Sequence, residues 1–394
     1  MNILQVTHSF HPCYQAGGVV KVAYEISRAL VKRGHKVTVI TTDGCKPRLV
    51  VKKNSDVDIE GISVWYFQNI SNYMRIKFKI ATPYFLPVFL KKQIKNFDII
   101  HIHEHRTLLA IVAHHYAKKY DIPYIIQAHG SVLPFFEYQN LKKLYDFIWG
   151  DKILRDASKF IAVSKVERDQ YVKMGMPEDK IEIIPNGIDI SEYKTLPEQG
   201  KFRKKYGIRS DEKVILYLGR VHKRKGIDFL INGFSRVLNK YQDVRLVIAG
   251  PDGGFLDILT KQIETLKIKE KVIIAGPLSK EEKIEAYVDA DVVAYPGIGE
   301  IFGLVPFEAI MCGTPVIVTD DCGCGEIIKE GQCGSIITYG DIAGLSTKIT
   351  EIFTNPPDAE EKVKQGKQYI KEWLLWETNI SKFEDLYANC LHTS

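Results

Sequence analysis

A short run of aliphatic and β-branched residues, a Gly-rich or polar loop, and then apolar residues at helical spacing: this alternation recurs along the chain and constrains its fold more than any other feature. Residues 1–6 are apolar, a polar stretch follows up to Gly17-Gly18, and residues 19–30 carry apolar positions with a period near 3.6. Gly34, after Lys32 and Arg33, closes that helix, and residues 36–41 (KVTVIT) read as a strand covered on both faces. The same order returns with residues 98–103 (DIIHIH), a helix over 107–119, residues 123–128 (PYIIQA), a helix near 141–157, and residues 159–163 (KFIAV). Parallel strands need long crossovers, and helices supply them, so the pattern predicts a parallel sheet with helices on both faces.

Around residues 184–189 (IPNGID) the pattern dissolves into Pro, Asn and Gly, followed by charged turns and Pro197. A second series then starts: strands at 213–218, 244–249, 272–275, 291–295 and 315–319, with helices at 226–239, 256–266 and 280–288 between them. With 394 residues the chain exceeds what one core fills, so two α/β domains are expected. The reading assigns residues 1–190 to an N-terminal Rossmann-like domain and 191–370 to a C-terminal one. Residues 371–394, whose 373–390 stretch is amphipathic, form a helix expected to pack back on the N-terminal domain. Two such doubly wound domains facing one another would enclose a cleft. Ligands would sit beyond the carboxyl ends of the strands, in the loops after Val6, Ala128, Leu218, Ala249, Ala275 and Tyr295.

Net charge is +6, too modest for a dedicated nucleic-acid binder, which leaves anionic small molecules and membrane surfaces as partners. Seven scattered cysteines are odd in number and lack the dense framework of secreted scaffolds, so reduced thiols in a cytoplasmic setting are expected. No basic leader with a cleavable apolar stretch opens the sequence, and no run approaches the ~18 apolar residues of a membrane span.

The loop after Leu218 reads Gly219-Arg220-Val221-His222-Lys223-Arg224-Lys225-Gly226 and sets four fixed cations between a strand end and a helix start. An arginine offers a planar fork and a lysine a compact charge to phosphate oxygens, and the helix that follows presents unpaired N–H groups. A solvated basic turn would look the same in isolation. The loop after Tyr295 changes the balance: Glu300 and Glu308 lie eight positions apart around Phe302, Gly303 and Leu304. Carboxylates accept hydrogen bonds from sugar hydroxyls, and a glycine lets backbone amides approach a ligand.

The stretch GEIFGLVPFEAIMCGTPVI, the upstream GRVHKRKGID, PNGID before the second domain and the Gly-Gly loop near the N-terminus together closely resemble the retaining GT-B glycosyltransferases of family GT4. The likeness spans nearly the whole chain, and Trp376-Glu377 resembles the start of that family's final crossover helix. It implies a GT-B fold and no cofactor beyond the donor substrate. It also implies that Arg220 and Lys225 bind the diphosphate of a nucleotide sugar, that Glu308 holds the ribose, and that Glu300 contacts the donor sugar. Backbone amides around Phe302, Gly303 and Leu304 would help to hold sugar and phosphates, with Gly17 and Gly18 approaching from the N-terminal domain. Ile301 stands where many relatives have a small or polar residue. His129, at a strand end before Gly130, matches the position that contacts the transferring sugar.

Other patterns are weaker. His101 and His103 share one strand face before Glu104 and His105, which suits hydrogen bonding at a strand end better than a metal site. Cys322-Gly-Cys324 lacks the further ligand pairs of a structural zinc site, so no metal is assigned. No Gly-x-Gly-x-x-Gly follows the first strand, which disfavours a dinucleotide cofactor. Residues 72–95 mix Arg75, Lys77, Lys79, Lys91 and Lys92 with Tyr73, Ile76, Phe78, Tyr84, Phe85, Leu86 and Phe89. That mixture suits either a peripheral contact with the inner membrane face or an acceptor-side loop and helix. The expected activity is transfer of a sugar from a nucleoside-diphosphate sugar to a hydroxyl of a carbohydrate or lipid-linked acceptor in cell-surface glycan synthesis. The alternatives are a non-catalytic nucleotide-sugar-binding subunit and a nucleotide-sugar epimerase of the same architecture.

Overall fold

The computed structural model describes residues 1–51, 56–78, 80–134 and 138–392. Lys79 and the side chain of Ile76 lie outside the described residues. The chain forms two compact units, Met1–Gly187 with Trp376–Ser394, and Ile188–Leu375.

In the first unit an eight-stranded sheet contains β1 (Asn2–Val6), β2 (Lys36–Thr42), β3 (Asp56–Ile59), β4 (Ile62–Phe67), β5 (Ile99–His103), β6 (Tyr124–Gln127), β7 (Lys159–Ala162) and β8 (Ile181–Ile183). Their order is β3-β4-β2-β1-β5-β6-β7-β8, and every pairing is parallel except β3 with β4. Because strand side chains alternate, Leu4, Ile100, Ile102 and Ile126 build the core on one face, and Ile3, Ile99, Ile125 and Ile161 build it on the other. Helix Gly18–Lys32 covers that second face together with the C-terminal helix Trp376–His392, which buries Trp376, Ile380, Phe383 and Tyr387 there. The ring of Trp376 packs so closely on Gly187 that a Cβ on that glycine would fall 2.3 Å from it.

The second unit holds β9 (Lys213–Leu218), β10 (Val244–Ala249), β11 (Val272–Gly276), β12 (Val292–Tyr295), β13 (Val316–Thr319) and β14 (Ser335–Ile337), all parallel, in the order β11-β10-β9-β12-β13-β14. Ile215, Tyr217, Leu246, Ile248 and Ala294 pack against helix Ile227–Val237, whose Phe229, Leu230 and Phe234 are buried. Helix Pro356–Trp373 follows, and the chain returns beside its point of entry, where Ile188 N donates to Leu374 O.

Three expectations need correction. The single helix near 141–157 is interrupted, since a π-helical turn at Asp146–Gly150 separates Gln139–Tyr145 from Asp151–Arg155. Asp146 explains the irregularity: it is buried and holds Arg106 Nη2 at 2.7 Å, so the backbone accommodates a charged pair instead of a further apolar turn. The seven cysteines are not all free, because Cys13 and Cys45 form a disulfide while Cys312, Cys322, Cys324, Cys333 and Cys390 remain buried thiols. Arg75 does not face solvent. It is buried and donates to Ser9 Oγ, and Leu86 sits in the core with Phe89 packed against it, so residues 72–95 expose Tyr73, Phe78, Tyr84 and Phe85 with only part of the basic set. Among the described residues no helix is long and apolar enough to cross a membrane.

Candidate active site

In the second unit the strand order places β9 beside β12, so the loops leaving their carboxyl ends are neighbours. They are stitched together by backbone: Ile298 N donates to Arg224 O at 3.0 Å. On this frame Lys225 Nζ reaches Tyr295 Oη at 3.2 Å, lies 5.3 Å from the centre of that ring, and forms a short ion pair with Glu300 Oε2. Both charged side chains keep about a quarter or less of their surface exposed, 21% for Lys225 and 25% for Glu300. Burial works to raise the Glu300 carboxyl, but the charge and hydrogen bond of Lys225, aided by Tyr295 and Arg224, hold it below the ordinary value. Burial next to Glu300 drives the Tyr295 hydroxyl far upward, so it stays a neutral donor. Glu300 is also fixed through its backbone, since its carbonyl accepts from Gly323 N at 2.7 Å.

Gly303 shows why the loop tolerates nothing larger. Its φ is +76°, and a Cβ there would sit 2.9 Å from the Tyr295 ring and 3.3 Å from Cys324 Sγ. Leu304 precedes helix Val305–Cys312, and the buried rings of Phe302 and Phe307 pack with centroids 5.4 Å apart across that helix start. Arg220 is exposed at the end of β9, where its carbonyl accepts from Tyr217 Oη at 3.0 Å.

Glu308 occupies a different setting from Glu300. It lies in the first turn of helix Val305–Cys312, is 4% exposed, and its Oε2 accepts from Lys283 Nζ and from Tyr287 Oη, each at 2.9 Å. The structure thus gathers Lys225, Tyr295 and Glu300 in one cluster and Glu308, Lys283 and Tyr287 in another. Lys283 and Tyr287 escaped the sequence reading, although their spacing of four on helix Lys280–Asp289 puts them on one face.

In the first unit Gly17 and Gly18 stand at the entry to helix Gly18–Lys32. Gly17 has φ +126°, and a Cβ on either residue would meet nothing within 4 Å. His129 lies just past β6 in the left-handed region, φ +51°, and is half-buried. Its Nε2 is 2.8 Å from His103 Nδ1, and the two rings stack with centroids 5.1 Å apart. Burial lowers the His129 imidazole to about 4, so it is neutral at pH 7. The loop carrying it is stapled by Glu167, which no local pattern distinguishes from the other charges of VERDQ. Fully buried, Glu167 accepts from Gly130 N at 2.6 Å and from Val163 N at 2.9 Å, tying the ends of β6 and β7, and burial pushes its carboxyl up to about 7. His101 and His103 serve buried hydrogen bonds, and among the described residues no group of three or more His, Cys, Asp or Glu is arranged to hold a metal.

Comparison with known proteins gives concordant matches. The family model described as glycosyl transferases group 1 matches residues 198–372, and that for glycosyltransferase family 4 matches residues 16–192. An uncharacterised glycosyltransferase of Methanocaldococcus jannaschii is 28% identical over 97% of this chain and 96% of its own length. The alpha-monoglucosyldiacylglycerol synthase of Streptococcus pneumoniae is 27% identical over 94% of this chain and 82% of its own. Among solved structures, Anabaena HepE in complex with UDP superposes with a TM-score of 0.78 at 20% identity, covering 99% of this chain and all of that one. Sucrose-phosphate synthase from Thermosynechococcus elongatus gives 0.79 at 19%, covering both chains in full. These likenesses show the GT-B fold.

Proposed function

The chain belongs to glycosyltransferase family 4, and from that premise we propose that it transfers a sugar, with retention of configuration, from a nucleoside-diphosphate sugar to a hydroxyl of a carbohydrate or lipid-linked acceptor, without a metal ion. The observation that carries the reading is the cationic loop at the end of β9, where Arg220 is exposed and Lys225 is held by Tyr295 and Glu300. Negative charge grows on the diphosphate as the glycosidic bond breaks, so cations already in place stabilise the transition state more than the ground state. In this reading Arg220 and Lys225 take the phosphates. Glu300, its charge kept by Lys225, accepts from the sugar, and Glu308 holds the ribose while Lys283 and Tyr287 orient it. The backbone of Phe302, Gly303 and Leu304 adds amide donors. In the first unit, Gly17 and Gly18 leave open space for the donor, and His129 contacts its sugar.

A lipid-linked acceptor draws support from the lipid-directed name of the Streptococcus pneumoniae relative and from exposed Tyr73, Phe78, Tyr84 and Phe85 beside Lys77, a set suited to peripheral contact with an anionic membrane face. The same support favours a role in cell-surface glycan synthesis at the cytoplasmic side.

The test is a screen of UDP-, GDP- and ADP-sugars with acceptor extracts in the presence of EDTA, reading nucleoside diphosphate release, product mass and anomeric configuration. Turnover that survives the chelator and yields a retained linkage is expected. Loss with EDTA and recovery with magnesium would refute the metal-free reading. Nucleotide binding without release would make the chain a binding subunit, and sugar isomerisation without acceptor would make it an epimerase.

A further inference from the structure

The face of the first sheet under the C-terminal helix is apolar along most of its length, yet on the adjacent strands β1, β5 and β6 four of its positions are polar. Gln5 on β1, His101 and His103 on β5, and Gln127 on β6 share that face, with Gln5 paired in register to His101 and Gln127 to His103. All four are buried to 1% exposure or less. Desolvating four polar side chains where Ile or Val would serve the core is costly unless their hydrogen bonds do something else.

The donor and acceptor inventory gives those bonds a direction. Gln5 Oε1 can only accept, so the bond it shares with His103 Nε2 requires the proton to sit on that nitrogen. A neutral His103 then carries a lone pair on Nδ1, and the 2.8 Å contact with His129 Nε2 requires His129 to be the donor. His129 is left with its own lone pair on Nδ1. From this geometry we infer that His103 is a positioning residue: acting through Gln5, it locks His129 as the Nε2–H tautomer and so presents His129 Nδ1 as a hydrogen-bond acceptor to a donor-sugar hydroxyl. The inference rests on the proposed contact between His129 and the sugar, which it refines by giving that contact a direction.

The surroundings favour the neutral chain. His101 stacks on His103 with ring centres 4.2 Å apart, and its Nδ1 meets Tyr387 Oη of the C-terminal helix at 2.9 Å. His8 Nδ1 lies 2.6 Å from Glu104, the carboxylate at the end of β5, and Arg75 adds positive charge to the same neighbourhood. Burial and the neighbouring imidazoles push His103 far down, and burial lowers His129 despite the upward pull of Glu104. His129 and Glu104 both hold left-handed backbone, φ +51° and +64°, at adjacent strand ends.

The test uses the full chain labelled with 15N-histidine. Long-range 1H–15N correlation at pH 7.5 should show His129, identified by its absence in His129→Gln, with Nε2 protonated and Nδ1 bare. An Nδ1–H tautomer, or an even mixture, overturns the inference, and this measurement does not depend on finding the substrate. Two variants give the kinetic side. Gln5→Glu places a carboxylate on His103 Nε2 and raises the pH at which His103 gains its second proton. A protonated His103 donates from Nδ1 and forces His129 into the wrong tautomer, so as pH drops from 8 to 6 kcat/KM should fall more steeply than in wild type, where Glu167, raised to about 7 beside the His129 loop, sets the dependence. His103→Phe, confirmed folded by cooperative melting, should raise KM for the nucleotide sugar about tenfold, the worth of one oriented hydrogen bond, and leave affinity for the nucleoside diphosphate unchanged. A pH profile in Gln5→Glu no steeper than that of wild type, or equal losses for nucleotide and nucleotide sugar in His103→Phe, would reduce the row to a structural role. Absence of turnover in wild type with every donor would instead strike the proposed function and leave the tautomer result standing.

Discussion

Replacing Lys225 with Met keeps most of the side-chain length and removes the charge, and the structure separates two consequences. The first is chemical: under the proposed function a preorganised charge at the departing diphosphate is lost, which on the scale of other such donors costs about 3 kcal/mol in the barrier, roughly a hundredfold in kcat. The second is electrostatic and local. Glu300, 25% exposed, loses the partner that holds its carboxyl down, so part of its burial cost is no longer offset. Intermediate between an exposed pair and a buried one, that loss should destabilise the fold by about 1–2 kcal/mol. The pH dependence follows from the sign of the shift. A carboxyl depressed in the folded state contributes stability above its unfolded value of 4.5, and that contribution disappears as pH falls through the folded value; in Lys225→Met it should be absent. Adding Glu300→Gln to Lys225→Met removes the stranded charge. Thermal unfolding should then recover most of the lost stability while nucleotide-release kinetics stay about a hundredfold down. Turnover of Lys225→Met within threefold of wild type would refute the leaving-group role, and rate recovery in the double variant would show that Lys225 matters only as a counter-ion to Glu300.

Glu167→Gln keeps the shape but leaves one of two backbone donors, Gly130 N or Val163 N, facing an amide NH2, and should lower stability by about 1–3 kcal/mol in a denaturant titration. It should also change the pH profile. With its folded value raised to about 7, Glu167 makes stability fall as pH climbs from 4.5 toward 7, whereas His101, lowered to about 3, makes stability rise with pH up to 6.5, by on the order of 4 kcal/mol. The two slopes oppose each other between pH 4.5 and 6.5, and the variant should reveal the histidine slope as a steeper acid loss; an unchanged profile would contradict the assignment. Reduction of the Cys13–Cys45 disulfide, which spans 32 positions, should lower stability by roughly 3–4 kcal/mol, measured as the difference in melting with and without a reductant and absent in Cys13→Ser/Cys45→Ser.

What the sequence made legible follows the strength of the hydrophobic signal. The buried parallel strands β1, β2, β5, β9, β10, β12 and β13 announce themselves because both faces must be apolar, and the loops after them could be located by counting. The edge strand β3, with Asp56 and Asp58 and three exposed residues, carries no such signal, and β8 and β14 are three residues each. The break in the C-terminal segment was equally hidden. Residues 373–390 look like one amphipathic stretch, but Leu374 gives its carbonyl to Ile188, and a helix continuing through that point would already use the group. Motif spacing located Arg220, Lys225, Glu300 and Glu308, yet it said nothing of the company each keeps.

That company is set by long-range partners, which is where reading one segment at a time stops. Lys283 reaches Glu308 across 25 positions, and Lys225 reaches Glu300 across 75. The same logic orders the histidines. His101 and His103 looked like strand-end residues because their alternation said only which face they share. Their role depends on Gln5, 98 positions from His103 in the chain but on the neighbouring strand, and on Tyr387, 286 positions from His101. A buried polar residue at an apolar position is therefore the most informative misfit in such a sheet. Hydrophobic burial alone would replace Gln5, and its retention on the strand beside His103 is what gives the imidazole pair a direction. A Gln5→Leu chain strands the His103 Nε2–H and should lose about 1–3 kcal/mol of stability; it should also lose affinity for the nucleotide sugar but not for the nucleoside diphosphate, a split that a purely structural polar row would not produce.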